Sequence, residues 1–277
     1  MYLLFDIGGT KMRFAISPDL RHINTPLIVP TTETVEDMIE LLKNELPRMT
    51  NNEPIKAIAG GVAGALSHDR AVLIKSPNKP SWNHQPIKDK LYELFNVPVF
   101  IENDAAVVGL GEAHSGPGIG KDIVAYITVS TGVGGARIVK GKIDHSYYGF
   151  EPGHQIISVA ERDDGKPVFG YLEDFISGRA LEKAFGKPAY KITDKQIWDD
   201  VTFFLSIGIN NIIVHWSPDI IVLGGGVAQN IDIELLKKYV HESMRIFPEL
   251  PEITKAKLDD LAGLYGALEL LKQKNIQ

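Results

Sequence analysis

Asp6-Ile7-Gly8-Gly9-Thr10-Lys11 follows a strand-like run, Tyr2–Ile7, and precedes the alternating apolar residues Met12, Phe14 and Ile16. Alternation on both sides of a short glycine break predicts two strands joined as a hairpin. No helix follows the glycines. Two adjacent glycines let backbone N–H groups approach a phosphate closely, while Thr10 adds a hydroxyl and Lys11 a charge. Asp6 ends the first strand, where a carboxylate beside phosphates would hold hydrated magnesium. A plain tight turn also satisfies an isolated Gly-Gly pair, so the rest of the chain decides.

The pattern recurs at Ile123–Val129, with a glycine-rich break at Ser130–Gly135 and a further strand at Ala136–Lys140. Strand, glycine turn, strand at the start of both halves implies two α/β lobes of related construction. The turn-rich run Ser115–Lys121 puts the boundary there, giving lobes 1–114 and 115–260, with the closing helix 261–277 assigned to the first lobe. Helical spacing marks Thr34–Leu46, Ile87–Phe95, Ala105–Ala113, Leu172–Phe185, Asp194–Trp216, Ile233–Met244 and Leu261–Lys274. Strands are expected at Ile55–Gly61, Ala71–Ser76, Val97–Ile101 and Asp219–Leu223.

Length and composition narrow the function. The chain has 277 residues, 44% of them hydrophobic and 23% charged, as in an ordinary globular protein with one large or two medium cores. A net charge of −6, from 35 acidic and 29 basic residues, disfavours a surface that neutralises a nucleic-acid backbone. The absence of cysteine excludes disulfides, thiolate zinc sites and a cysteine nucleophile. The opening residues have no secretory pattern, and no apolar run approaches the roughly 18 residues needed to span a bilayer, so a cytoplasmic protein with no membrane partner is expected.

Several other clusters bear on chemistry. Ser130-Thr131-Gly132-Val133-Gly134-Gly135 contains dinucleotide-like glycine spacing, but a strand follows where that fold requires a helix. Gly116–Lys121 fails as a P-loop because its glycine spacing is wrong. Leu223-Gly224-Gly225-Gly226 ends a strand and leaves bare backbone for a flat ligand. Asp104 opens a helix; an N-cap accounts for an aspartate there, and the same helix terminus favours an ionised carboxylate able to take a proton from a hydroxyl. Glu102 and Asn103 lie beside it. Glu151-Pro152-Gly153-His154 and Tyr171-Leu172-Glu173-Asp174 each place polar groups in short runs, and His154 has no cysteine to share a metal with.

Taken together, these residues resemble the ROK family of sugar kinases and related repressors over nearly the whole chain. Asp6–Lys11 looks like the family's first phosphate motif and Ser130–Gly135 its second. Gly60-Gly61-Val62-Ala63-Gly64, with Ser76-Pro77-Asn78 and Trp82, is similar to its sugar loop. Glu102-Asn103-Asp104 resembles its catalytic motif, Glu151–His154 its Glu-x-Gly-His motif, and Leu223–Gly226 its adenosine-side glycines.

The resemblance implies an actin-like ATPase (ribonuclease H-like) fold, two lobes with a central cleft. It also implies ATP and Mg2+ as cofactors, small-molecule sugar and nucleotide as partners, and a homodimer. Carried over, Asp104 would be the general base, and Gly64, Asn78, Asn103, Glu151, His154 and Glu173 would hold the sugar. Asp6, Gly8, Gly9, Thr10, Lys11, Thr131, Gly132, Gly134, Gly224, Gly225 and Gly226 would meet ATP, with Asp6 near magnesium through water. The activity implied is phosphorylation of a hexose, glucose at its 6-hydroxyl first, with N-acetylmannosamine, N-acetylglucosamine, mannose or fructose and a polyphosphate donor as alternatives. A sugar-binding regulator without transfer and an actin-type ATPase compete; the latter leaves Glu151, His154 and Glu173 unexplained.

The chain departs from the family pattern where zinc is usually bound. Three cysteine positions fall on Asp164, Lys166 and Tyr171, so no zinc is expected and other contacts must orient His154. Ala63 replaces a proline of the sugar loop, and Ser130 and Ala136 stand where glycine is usual.

Overall fold

The structure is a computed structural model that describes residues 1–274 except Pro77 and Gly165. Pro77 of the Ser76-Pro77-Asn78 run, and residues 275–277 of the expected final helix, lie outside the described residues. The chain divides into two compact units.

The first unit comprises Met1–Ser115, His145–Gly149 and Asp260–Gln277. Its strands are β1 (Tyr2–Ile7), β2 (Lys11–Ser17), β3 (Leu27–Pro30), β4 (Ala57–Val62), the short pair β5 (Ala65–Leu66) and β6 (Leu73–Lys75), and β7 (Val99–Asn103). The main sheet has the order β3-β2-β1-β4-β7. The hairpin strands are antiparallel, whereas β1, β4 and β7 run parallel. Alternation along β1 and β2 sends Leu3, Phe5, Ile7, Met12, Phe14 and Ile16 into one core. Helices α1 (Val35–Thr50) and α2 (Ile87–Phe95) contribute Met38, Leu42 and Leu91 to that core.

The opposite face of the sheet carries α3 (Asp104–Ser115) and the closing helix Ala262–Gln273. These two helices meet backbone to backbone. A Cβ on Gly266 would lie 1.7 Å from the Val107 carbonyl oxygen, and one on Gly111 would lie 2.2 Å from that of Ala262. Only residues without side chains allow this approach.

The second unit comprises Gly116–Asp144 and Phe150–Asp259. It contains β8 (Ile123–Val129), β9 (Val133–Val139), β10 (Lys142–Ile143), the hairpin β11 (Ile156–Glu161) and β12 (Pro167–Tyr171), helices α4 (Leu172–Ile176), α5 (Gly178–Phe185), α6 (Lys195–Trp216) and α7 (Ile233–Ser243), and strands β13 (Ile220–Gly224) and β14 (Glu252–Lys255). The closing helix is then α8. The five-stranded sheet runs β10-β9-β8-β13-β14, the same order as in the first unit. The repeat legible in the two glycine hairpins is therefore a repeat of whole sheets.

Several boundaries differ from expectation. Helix α1 continues past Leu46 through Pro47, which sits on the exposed face near the helix's C-terminal end. The single helix expected over Leu172–Phe185 is two, because Ser177 adopts an extended backbone and its Oγ accepts from the Ala180 amide, capping α5. Strand β9 begins at Val133, so two of the glycines belong to the sheet. By length and composition α6, with mean hydropathy 1.3, passes as long and apolar enough to cross a bilayer, against the expectation of no such run. Its Leu205, Ile209, Ile212 and Ile213 are buried in the second core, where an apolar helix face belongs.

Candidate functional site

In the first unit the β1–β2 turn is closed by the Gly8 amide donating to the Lys11 carbonyl at 2.9 Å. Thr31, which the sequence reading missed, anchors the turn from β3's end: its Oγ1 donates to the Gly8 carbonyl at 2.7 Å, and its amide to the Thr10 carbonyl at 3.0 Å. Thr10 and Lys11 are exposed at the tip. Asn78 packs directly on Gly9, where an added Cβ would lie 2.2 Å from Asn78 Nδ2. The sugar-loop candidate and the phosphate-turn candidate are thus in contact.

Asn103, at the end of β7, caps α3 by accepting from the Ala106 amide at 3.3 Å, while its Nδ2 donates to the Gly64 carbonyl at 3.1 Å. The cap is Asn103, and Asp104 occupies the first helical position with its Oδ1 2.9 Å from the Ala105 amide. The helix terminus therefore favours an ionised Asp104 without using it as the cap. A Cβ on Gly61 would fall 2.9 Å from Asp104 Cα, so the glycine lets α3 start tight against β4.

Asp6 is buried, and its carboxyl is pushed up to about 7, first by burial and then by the negative charge of Asp104. Arg13, directly across the hairpin from Asp6, offsets this, with Nη1 3.2 Å from Asp6 Oδ2. The guanidinium also pairs with Asp260 just before α8. Glu102 is held by Arg70, Nε to Oε2 3.0 Å; burial raises its carboxyl above the usual range and Arg70 opposes that. Trp82 lies wholly in the core, where it anchors the candidate sugar loop.

Magnesium suits this donor set. Among the described residues no group of three His, Cys, Asp or Glu gathers to form a protein cage. A single carboxylate beside the candidate phosphate turn is the donor set that a cation held mainly by water and phosphate oxygens would use, and Asp6 would be its protein partner.

In the second unit Glu173 lies against the other glycine turn. Its Oε2 accepts from the Val133 amide at 2.8 Å and would sit 2.6 Å from a Cβ on Gly132. The amides of Gly178 and Arg179, at the start of α5, donate to the carbonyls of Ser130 and Thr131. Glu151 precedes and His154 ends a 3₁₀ turn, with His154 Nδ1 3.8 Å from Glu151 Oε2. Loss of hydration raises the Glu151 carboxyl, His154 opposes the rise and Glu173 adds to it. Gly153 comes so close to β9 that a Cβ would meet the Val133 carbonyl at 2.2 Å, tying this turn to the glycine hairpin.

Gln155, not singled out in the sequence, donates to the Pro152 carbonyl and accepts from Asn211. The three positions that carry cysteine in the family pattern fall on the β11–β12 hairpin and its turn. Asp164 accepts from the Lys166 amide, and the Tyr171 ring lies 6.3 Å from that of His154. An aromatic neighbour stands where a thiolate would.

The three glycines at the end of β13 play different parts. Gly224 is buried beneath Tyr126, whose hydroxyl lies 2.3 Å from the Cβ position, and Gly225, at φ 91°, turns over the Val129 carbonyl. Gly226 has open space around its Cβ position and is the exposed member. The first unit thus gathers Asp6, Gly8, Gly9, Gly64, Asn78, Asn103 and Asp104, and the second gathers Thr131, Gly132, Gly134, Glu151, His154 and Glu173 around one glycine hairpin.

The chain resembles proteins of known kind over its full length. It is 30% identical to a ROK hexokinase from Thermus thermophilus, with 99% of each chain covered and a TM-score of 0.83. It is 25% identical to a ROK family glucokinase from Streptomyces griseus solved with glucose and AMPPNP, with 98% of this chain and 99% of that one covered and a TM-score of 0.78. An N-acetyl-D-glucosamine kinase from Mannheimia succiniciproducens is 28% identical, with 98% and 99% coverage. The sequence profile of the ROK family matches residues 2–274. With its duplicated sheet order and that match, the chain belongs to the ROK family and has the actin-like ATPase fold.

Proposed function

We propose that this protein is an ATP-dependent sugar kinase that transfers the γ-phosphate to a hexose hydroxyl, glucose at the 6-position being the first candidate. The observation that carries the reading is the gathering in one unit of Asp104, the Asp6 phosphate hairpin and Asn78 packed on Gly9. A proton acceptor, a phosphate cradle and a polar sugar contact are the parts a hydroxyl-to-phosphate transfer requires.

In this reading Asp104 takes the proton of the sugar hydroxyl as its oxygen attacks the γ-phosphorus, and ADP departs with the electrons of the broken bond. The base contributes about 10²–10⁴ in rate. The turns Gly8–Lys11 and Thr131–Gly134 hold phosphate oxygens through amides other than those of Gly8 and Val133, which the turns themselves use, and Gly226 offers backbone to the adenosine. Magnesium, when bound, neutralises phosphate charge and is held by Asp6 through water. Asn78, Asn103, Glu151, His154 and Glu173 hydrogen-bond the remaining hydroxyls. Hydroxyl-specific bonding discriminates sharply between sugars, because an unmatched buried polar group is costly.

The resemblance to an N-acetylglucosamine kinase supports a second substrate reading, a 2-acetamido sugar. Coupled ADP detection across hexoses and N-acetylhexosamines, with ATP and magnesium, separates the two. ADP release that ignores sugar defeats the kinase reading in favour of an ATPase, and no ADP with any sugar leaves a regulator.

A further inference from the structure

Arg13, on β2 opposite Asp6, reaches across to Asp260 just before α8. Nothing in the reaction scheme uses it. Its Nη1 reaches Asp6, its Nη2 reaches Asp260, and only about an eighth of its side chain is exposed. Among the described residues its Nε is buried with no hydrogen-bond partner. The guanidinium is held through Nη1 and Nη2 by the two carboxylates, its Nε taking no part. Gly263 matters here too: a Cβ on it would lie 2.6 Å from Asp6 Cγ, so the carboxyl fits because the second residue of α8 is glycine.

We infer that Arg13 is a positioning residue that stands in for part of the divalent cation's charge at Asp6 while nucleotide is absent, and that its division between Asp6 and Asp260 sets how tightly the cation is held afterwards. This rests on the placement of hydrated magnesium beside Asp6 in the proposed kinase. The guanidinium and the cation's water shell compete for one carboxylate. Asp260, exposed at 61%, pulls the guanidinium the other way.

The test is Mn2+ binding in the presence of ADP, followed by the electron spin resonance of free Mn2+. Arg13→Met is expected to bind Mn2+ about five- to tenfold more tightly, since a unit charge a few ångströms away is removed. Asp260→Asn leaves the guanidinium to Asp6 alone and is expected to weaken binding by about two- to fivefold. Arg13→Lys should fall between Arg13→Met and the unaltered protein. Opposite shifts in the first two variants are a signature that general loosening cannot produce. Shifts of the same sign, or unchanged affinity in a folded Arg13→Met, overturn the inference. If Arg13→Met does not fold, Asp260→Asn decides alone, and unchanged or tighter binding there overturns it. Unreduced Mn2+ binding in Asp6→Asn overturns the placement of the cation, and with it this role of Arg13. The kinase reading is tested apart from this, by sugar-dependent ADP formation in the unaltered protein.

Discussion

Asn78 lies on Gly9 so closely that a single added methyl would overlap its amide nitrogen. The loop read as sugar-binding is therefore braced by the hairpin read as phosphate-binding. Gly9→Ala should displace Asn78, lower stability by about 1–3 kcal/mol through overpacking and raise KM for both substrates. Adding Asn78→Ala should recover the stability without recovering sugar affinity. Thermal unfolding and substrate titrations on the two variants check this, and a double variant as unstable as Gly9→Ala would show that the overlap is relieved elsewhere.

Asp104→Asn keeps the side chain's shape and its place at the first turn of α3. Sugar binding by calorimetry should be near normal while turnover drops about 10²–10⁴-fold. Near-normal turnover refutes the assignment of the base.

The raised carboxyl of Asp6 has a stability consequence with a definite sign. The folded protein holds that proton up to about pH 7, whereas the unfolded chain releases it near 3.8. The folded state thus binds more protons between those values, and stability falls as pH rises through that window, by on the order of a few kcal/mol. Asp6→Asn cannot ionise and should flatten the slope. Unfolding temperatures from pH 4 to 8, without nucleotide or divalent cation, measure it; an equally steep slope in the variant assigns the effect to other groups.

Glu173 accepts from the Val133 amide and so supports the second glycine turn as well as facing the sugar side in the proposed site. Glu173→Ala removes a charge-assisted hydrogen bond of about 1.5–3 kcal/mol, and Glu173→Gln retains a neutral acceptor. The alanine variant should unfold at lower temperature and raise KM for sugar, with the glutamine variant between it and the unaltered protein. Equal behaviour of the two would mean that the acceptor is irrelevant.

Metal analysis of the purified protein should find no stoichiometric zinc, because Asp164, Lys166 and Tyr171 offer no thiolate at the family's ligand positions. One zinc per chain would overturn that expectation.

Periodicity carried much of the fold. Met12, Phe14 and Ile16 announced β2, and the spaced isoleucines of α6 announced the core helix of the second unit, because each pattern is one buried face of a regular element. The signal was weakest where burial is slight. Strands β11 and β12 carry Ile156, Val159, Val168 and Phe169 partly in solvent, so no inside-outside alternation marks them. Strand β3 has four residues and ends in Pro30, too little for a period to appear. The split between α4 and α5 depends on one side-chain bond at Ser177, which spacing does not reveal. At the site, motif residues were legible by type and order. Thr31, Gln155 and Arg13 were not, since each acts by reaching a distant backbone or carboxylate and looks like any polar residue in the chain.

Helix α8 touches α3, β1 and β4, all of them in the half of the polypeptide that emerges first. During synthesis, Asp6 and its hairpin wait beside an uncovered sheet until α8 is made, whereas the sheet of the second unit has all its strands by Lys255. Translation halted at residue 259 would leave a finished second unit joined to an exposed first one. Helix α8, made after every strand of both sheets, is thus what covers the sheet that carries Asp6.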